Sequence, residues 1–341
     1  MRTSIQILKL SRRSRVKFRP AVYDVTALGE ILIDFTPDGI SENGNILFER
    51  NPGGAPANLA VAVARLGGTS AFIGKVGDDM FGRFLKETLE REHVNNAGLI
   101  LTAGSPTTLA FVDLKENGGR DFSFYRNNSA DTMLTPRDVR FDQIKNSRFF
   151  HLGSLSLTHK SSKKATMAAL HAACRAGVNI SYDPNLRMPL WKSPAEAKRS
   201  ILSIMPFASV IKISEEEGAF ITGEKDIDKC AGLIINKFKT PVLLITRGSM
   251  GAKSYFCGKS LYLPAFTGVK AVDTTGAGDA FLGAFLYAIL HEACMDVRHL
   301  NDSGMEFCLS FAQAASAVCV SKKGAIPAMP GREEVLSVME L

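Results

Sequence analysis

Nine consecutive residues, Asp273-Thr274-Thr275-Gly276-Ala277-Gly278-Asp279-Ala280-Phe281, set two glycines, two hydroxyls and two carboxylates ahead of an apolar run. Large apolar residues recur at 281, 282, 285, 286, 289 and 290, the spacing of a core helix, which puts the glycines at its N-terminus. The free backbone N–H groups and the positive dipole end there make an anion site, suited to phosphate. Gly276 and Gly278 let the backbone come close to that anion, with no Cβ in the way. Asp279 then sits where electrostatics alone would disfavour an acid beside phosphate; it makes sense there as a base taking the proton of an attacking hydroxyl. An Asp in a first turn also stabilises its own helix, so these nine residues alone leave both roles open.

A second group lies near the N-terminus. Asp34 ends the apolar run Val25–Phe35, and Pro52-Gly53-Gly54-Ala55-Pro56-Ala57-Asn58 leads into an Ala/Val/Leu helix. An acid, exposed backbone amides and an amide side chain at one strand end suit a polyhydroxylated ligand. A plain turn with a helix cap reads the same residues equally well. Other chemistries lack their patterns. There is no GxxxxGK[ST], no GxGxxG after a strand, no HRD…DFG set and no HExxH, and the six histidines are isolated.

The elements that must position these groups alternate. Val25–Phe35 reads as one buried strand, Ala55–Leu66 as a helix closed by Gly67-Gly68, Ala71–Val76 as a strand, and Phe81–His93 as an amphipathic helix. Strand runs recur at Phe149–Leu155, Val178–Tyr182, Val210–Ile213 and Val242–Thr246, with helical patterns between. Such alternation implies an α/β fold: a doubly wound, mostly parallel sheet flanked by helices. One stretch departs from it. Thr107–Lys115 and Arg120–Arg126 read as a hairpin around Glu116-Asn117-Gly118-Gly119, and Thr36–Arg50 leaves the first strand at a similar point. Segments 36–50 and 105–128 are therefore expected to form a small β-sheet lid on the active site.

Length and composition fit this picture. The chain has 341 residues, 45% hydrophobic and 22% charged, which excludes a disordered or fibrous protein. No run of about 18 uninterrupted apolar residues occurs, so no membrane span is expected. The net charge of +7 equals the charge of Arg2, Lys9, Arg12, Arg13, Arg15, Lys17 and Arg19. Residues 1–20 thus read as a basic, unstructured extension, residues 21–341 as the folded domain, and the surplus gives no ground for expecting nucleic acid or membrane as partners. Six cysteines lie scattered with no CxxC, mostly in apolar surroundings such as Phe256-Cys257, as buried free thiols would be. No secretory segment is recognisable, and a cytoplasmic location is expected.

Taken together, the residues resemble the carbohydrate kinases of the ribokinase (PfkB) family. One signature is carried by Gly53–Gly82 (GGAPANLAVAVARLGGTSAFIGKVGDDMFG) and the other by Asp273–Phe281 (DTTGAGDAF). The resemblance spans about Val22 to Pro330. Within the family, GEILID at 29–34, FYRNNSAD at 124–131, DPNLR at 183–187 with PLW at 189–191, and KGAIP at 323–327 look like bacterial fructokinases. Similarity to 2-keto-3-deoxygluconate kinases, through DPNLR and the Tyr-Arg element, is the alternative.

The resemblance implies roles for particular residues. Asp279 matches the catalytic base, and Gly276, Ala277 and Gly278 the anion hole for the migrating phosphoryl group. Asp34, Gly53, Gly54 and Asn58 match sugar-binding positions, with Tyr125 and Arg126 reaching the sugar from the lid and Arg187 near the phosphate or sugar. Ser214 (in place of the family's Asn), Thr246, Gly248 and Gly251 match nucleotide-binding positions, alongside Gly276 and Gly278. Glu217 matches the acid that helps hold magnesium through water. Asp273, Thr275, Gly324 and carbonyls near Cys319 and Lys322 match a monovalent-cation (K+) site, where Ala328 lacks the side-chain oxygen some relatives offer. The resemblance thus implies a kinase using ATP and Mg2+, transferring phosphate to fructose, and pairing as a homodimer through the lid. A family member that binds sugar or nucleotide without catalysis would lack the base or the glycines.

Overall fold

A computed structural model describes residues 21–114 and 120–340. The basic segment 1–20 and the expected hairpin turn at 116–119 lie outside the described residues. The strands are β1 (Tyr23–Leu28), β2 (Leu32–Ile40), β3 (Ile46–Gly53), β4 (Ser70–Gly77), β5 (Asn95–Thr102), β6 (Leu109–Leu114) and β7 (Arg120–Tyr125), then β8 (Ser147–Leu152), β9 (Asn179–Tyr182), β10 (Val210–Ser214), β11 (Val242–Thr246), β12 (Ala252–Phe256) and β13 (Lys259–Leu263). The helices are α1 (Ala55–Arg65), α2 (Met80–Arg91), α3 (Phe141–Lys145), α4 (Lys160–Arg175), α5 (Pro194–Ile204), α6 (Glu215–Thr222), α7 (Ile227–Phe238), α8 (Ala277–Tyr287), α9 (Asp302–Val320) and α10 (Arg332–Met339).

Nine strands form one sheet in the order β13-β12-β11-β10-β9-β8-β1-β4-β5, parallel except for the edge pair β12 and β13. Helices cover both faces because each central strand is apolar on both. Along β11, Leu243 and Ile245 join the core under α4, α5 and α7, while Val242 and Leu244 join the core under α1, α8 and α9. α9 has the length and mean hydropathy of a membrane span, yet it is a core helix packed between α8 and α10.

The expected single strand Val25–Phe35 is two strands in two sheets. At Gly29 the chain passes so close to α1 that a Cβ would lie 2.6 Å from Pro56 Cγ. There β1 ends, and β2 leaves the large sheet for a second one, ordered β3-β2-β6-β7. Both expected lid segments lie in this small sheet, whose central β2–β6 pair is parallel rather than antiparallel. β5 and the β12–β13 hairpin carry no alternation strong enough to have been read. Three cysteines are exposed (Cys174, Cys257 and Cys294) and three buried (Cys230, Cys308 and Cys319). Cys257, expected inside, sits in a turn at φ +46°.

One crossing matters for everything below. α1 and α8 meet at Gly283, where an added Cβ would lie 2.9 Å from Ala62 Cβ and 3.1 Å from the Leu59 carbonyl. Neither neighbour is a flexible chain end. Gly283→Val should therefore part the two helices and cost about 1–3 kcal/mol, read as a lowered melting temperature. An unchanged melting temperature would show that the crossing has slack.

Candidate active site

The parallel strands deliver their following loops to one edge, where open α/β sheets bind ligands. Asp279 lies in the first turn of α8, whose N-cap is Gly276 in the left-handed region at φ +80°. A side chain at Gly276 would also strike Met329 Cε at 2.7 Å. The Asp279 carboxylate accepts hydrogen bonds from Asn58 Nδ2 at 2.8 Å and from Asn185 Nδ2 at 3.2 Å. Asn58 comes from α1 across the Gly283 crossing, and Asn185 from the loop after β9, held at φ +48°. Burial first, then the nearby Asp183 carboxylate, push the Asp279 pKa up to about 7, against the opposing pull of Asn58, Lys212 and Arg187. An acid that titrates near neutrality is matched to general-base work.

Behind it lies a buried charge cluster. Lys212 on β10 pairs with Asp183 at 2.8 Å, both side chains nearly out of water. Glu217 closes a capping box on α6: its oxygens accept from the backbone N–H of Leu186 at 2.7 Å and of Ser214 at 2.8 Å. Burial, then Asp183, raise the Glu217 pKa. With both oxygens engaged by backbone, Glu217 suits a hydrated magnesium ion reached through water.

On the small sheet, Asp34 of β2 is half-buried, and a Cβ on Gly53 would collide with its carboxylate. Burial pushes its pKa up to about 7, with Arg187 pulling down and Asp273 and Asp279 pushing up. The Arg187 charge thus pulls down the pKa of both Asp34 and Asp279. Gly54, at φ +110°, brings its backbone so near that a Cβ would lie 2.6 Å from the Glu30 carbonyl. Asn58 Oδ1 and Glu30 Oε2 are buried with no hydrogen-bond partner among the described residues.

Two expected sugar contacts sit elsewhere. Arg126 is buried and spent on the protein: Nε and Nη2 bond Asp131, each at 2.7 Å, Nη1 donates to Thr158 at 2.8 Å, and Nη2 to the Leu155 carbonyl at 3.1 Å. Its charge is already paired, so it anchors the loop after β7 rather than meeting a ligand anion. Tyr125 faces away from the cleft. Strand alternation puts it with Phe35 and Phe111, on the side opposite Asp34, where it is 66% exposed and edge-on to Phe111 at 5.4 Å.

Ser214 and Thr246, expected to meet the nucleotide, are register partners at the ends of β10 and β11. The Ser214 hydroxyl caps α6 by accepting from Glu217 N–H at 3.1 Å. Gly248 and Gly251 shape the following loop, both at positive φ, and Arg247 is tied back to Glu215 at 2.9 Å. Asp273 accepts from the N–H groups of Thr275 at 2.8 Å and Gly324 at 3.1 Å, and Cys319 Sγ approaches the Thr275 carbonyl at 3.6 Å. These contacts bring Asp273, Thr275 and Gly324 together. A separate cleft of about 520 Å3, lined by Asp228, Lys239, Thr240, Tyr255 and Lys259, contains none of these residues.

Glu30, Asp183 and Asn185 fall within the GEILID and DPNLR segments but carry no role in the sequence reading, and Lys212 has no place in it. Lys212 did leave a trace: it is the one charge in Val210-Ile211-Lys212-Ile213, a run otherwise fit only for the core.

A doubly wound sheet whose strand ends converge on a buried carboxylate at a helix N-terminus is an arrangement that suits small-molecule phosphoryl transfer. The chain matches the model for pfkB family carbohydrate kinases over residues 23–332 and belongs to that family. It is similar to Fructokinase-1 of Oryza sativa subsp. japonica, 45% identical over 322 residues covering 93% of this chain and 97% of that protein. Probable fructokinase-5 of Arabidopsis thaliana is 44% identical over the same shares. Among solved structures, the fructokinase of Xylella fastidiosa with bound ATP superposes with a TM-score of 0.83 at 32% identity, covering 94% of this chain and 99% of that one. A fructokinase double mutant of Vibrio cholerae O395, in a form with fructose, ADP and potassium ion bound, gives 0.83 and 32% over 94% of this chain and all of its own. The expected likeness to bacterial fructokinases holds, and plant fructokinases are nearer to this chain in sequence than these two bacterial structures.

Replacing Asp279 by Asn should keep the fold and the affinity for sugar while lowering kcat by roughly 10²–10⁴-fold. Sugar binding by calorimetry and turnover by ADP release check both halves. Near wild-type turnover would end the assignment of Asp279 as the base.

Proposed function

We propose that the protein is an ATP-dependent fructokinase that makes fructose 6-phosphate. The observation that carries this reading is the Asp279 carboxylate, buried at the anion-binding end of α8 and held by two amides. In the step, the primary hydroxyl oxygen at carbon 6 bonds the γ-phosphorus of ATP while the bond to the β,γ-bridging oxygen breaks. ADP leaves, and the hydroxyl proton passes to Asp279. The N–H groups opening α8 meet the charge that develops on the phosphoryl oxygens. Asp34, Gly54 and the unpartnered Asn58 Oδ1 supply acceptors and backbone for the sugar hydroxyls. Ser214, Thr246, Gly248 and Gly251 line the nucleotide side. Magnesium, where bound, neutralises phosphate charge, and Glu217 is placed to hold it through water. Asp273, Thr275 and Gly324 fit a monovalent cation whose charge would support the same loop.

Fructose is favoured over 2-keto-3-deoxygluconate by the similarity to fructokinases; with Arg126 paired to Asp131, Arg187 is the arginine that a carboxylate sugar would have to meet. ADP release over fructose, 2-keto-3-deoxygluconate, ribose, adenosine and tagatose tests the choice. Fructose should lead in kcat/KM by tenfold or more, about 1.4 kcal/mol. A tenfold lead for the acid sugar would overturn fructose and leave the family intact.

The small sheet supports a homodimer. Its outer face carries Phe35 stacked on Phe111 at 4.9 Å, with Phe48 and Tyr125 edge-on to Phe111. Phe48 is 43% and Ile46 63% exposed, an apolar patch that a second copy would cover. Phe48→Asp combined with Tyr125→Asp should turn a dimer into a monomer by light scattering, and an unchanged mass would place any contact elsewhere. The free cysteines fit a reducing, cytoplasmic setting.

A further inference from the structure

Lys212 occupies an electrostatically adverse place. Its ammonium lies under the first turn of α8, and a Cβ on Gly278 would be 2.6 Å from Nζ. A cation at the positive end of a helix is unfavourable, as is a cation out of water. Among the described residues Asp183 is its direct carboxylate partner, at 2.8 Å. Glu217 from α6 and Asp279 from α8 act on the same charge, and the buried His151 of β8 lies within its field. Buried ion pairs of this kind are often replaceable by apolar residues without loss of stability, so stability alone does not explain it. An anion arriving at Gly276–Gly278 would change the balance, for it would meet the helix N-terminus and the ammonium together.

Resting on the kinase reading above, we propose that Lys212 is a positioning residue for phosphoryl transfer, its ammonium backing the Gly276-Ala277-Gly278 turn with positive charge where the transferred phosphoryl group gains negative charge. Gly278 is then glycine for a second reason beyond ligand approach: it gives Lys212 room. The charge is preset by folding, so it costs no reorganisation at the moment of transfer. It acts through the turn and through Asp279, not by taking the proton.

Lys212→Met alone leaves Asp183 buried without its cation and can fail to fold, so the test compares Asp183→Asn with the Lys212→Met/Asp183→Asn double variant. The double variant removes both charges and keeps their volumes. It should melt near the wild type and bind fructose within threefold of wild type by calorimetry, with kcat down about 10²-fold or more, the range seen for loss of one charge-stabilising group. Asp183→Asn, with its ammonium intact, should turn over at least tenfold faster than the double variant. Equal kcat in the two would assign the loss to Asp183 and overturn the proposal, as would a double variant within tenfold of wild type. A double variant that neither melts cooperatively nor binds fructose would make Lys212 a folding residue and also overturn it. Wild-type protein that releases no ADP with any sugar would instead sink the kinase reading.

Discussion

Asp279 stands out of water at the positive end of α8, held by the amides of Asn58 and Asn185, and much of the surrounding structure serves that placement. A buried carboxylate must either find donors or take up a proton. Here two neutral amides hold its position, and burial, then Asp183, raise its pKa against the opposing pull of Asn58. The amides arrive from opposite directions, one across the tight α1–α8 crossing at Gly283 and one from a strained turn after β9. The large sheet's role is to bring those two loops and α8 to one point.

The same crowding of acids has a thermodynamic consequence. Asp34, Glu30 and Asp279 are each pushed up to about 7, first by burial. Unfolded, each would titrate near 4, so across roughly pH 4–7 the folded protein binds more protons than the unfolded chain. Stability contributed by these sites therefore falls as pH rises through that window. The ligand-free site holds less stability above neutrality than below it, a cost borne where charge is needed for chemistry. Arg126 and Asp131 form a satisfied buried pair that fixes the loop leaving the small sheet.

The fold was largely legible in sequence because parallel strands buried on both faces leave continuous apolar runs, as in Val242–Thr246. The Asp279 and Gly53–Asn58 groups were legible because glycines mark backbone that a ligand or another helix must approach. Reading failed where tertiary context decides. The break at Gly29 depends on Pro56, which lies on α1. Tyr125 and Arg126 are adjacent in sequence, but strand alternation sends one to solvent, and Asp131 claims the other. Asn185 and Lys212 reach Asp279 and Gly278 across 94 and 66 residues of chain, and no local pattern announces such pairings.

The central claim is that folding holds the Asp279 carboxyl as a base poised near neutrality. Carbon-13 NMR of the ligand-free protein, with carboxyl-labelled aspartate and the resonance assigned by its loss in Asp279→Asn, measures this directly. Titration from pH 4 to 9 should show the Asp279 carboxyl inflecting near 7, roughly three units above an exposed aspartate. An inflection near 4 would mean that water or unseen cations solvate the site, and the account of a desolvated base would be wrong.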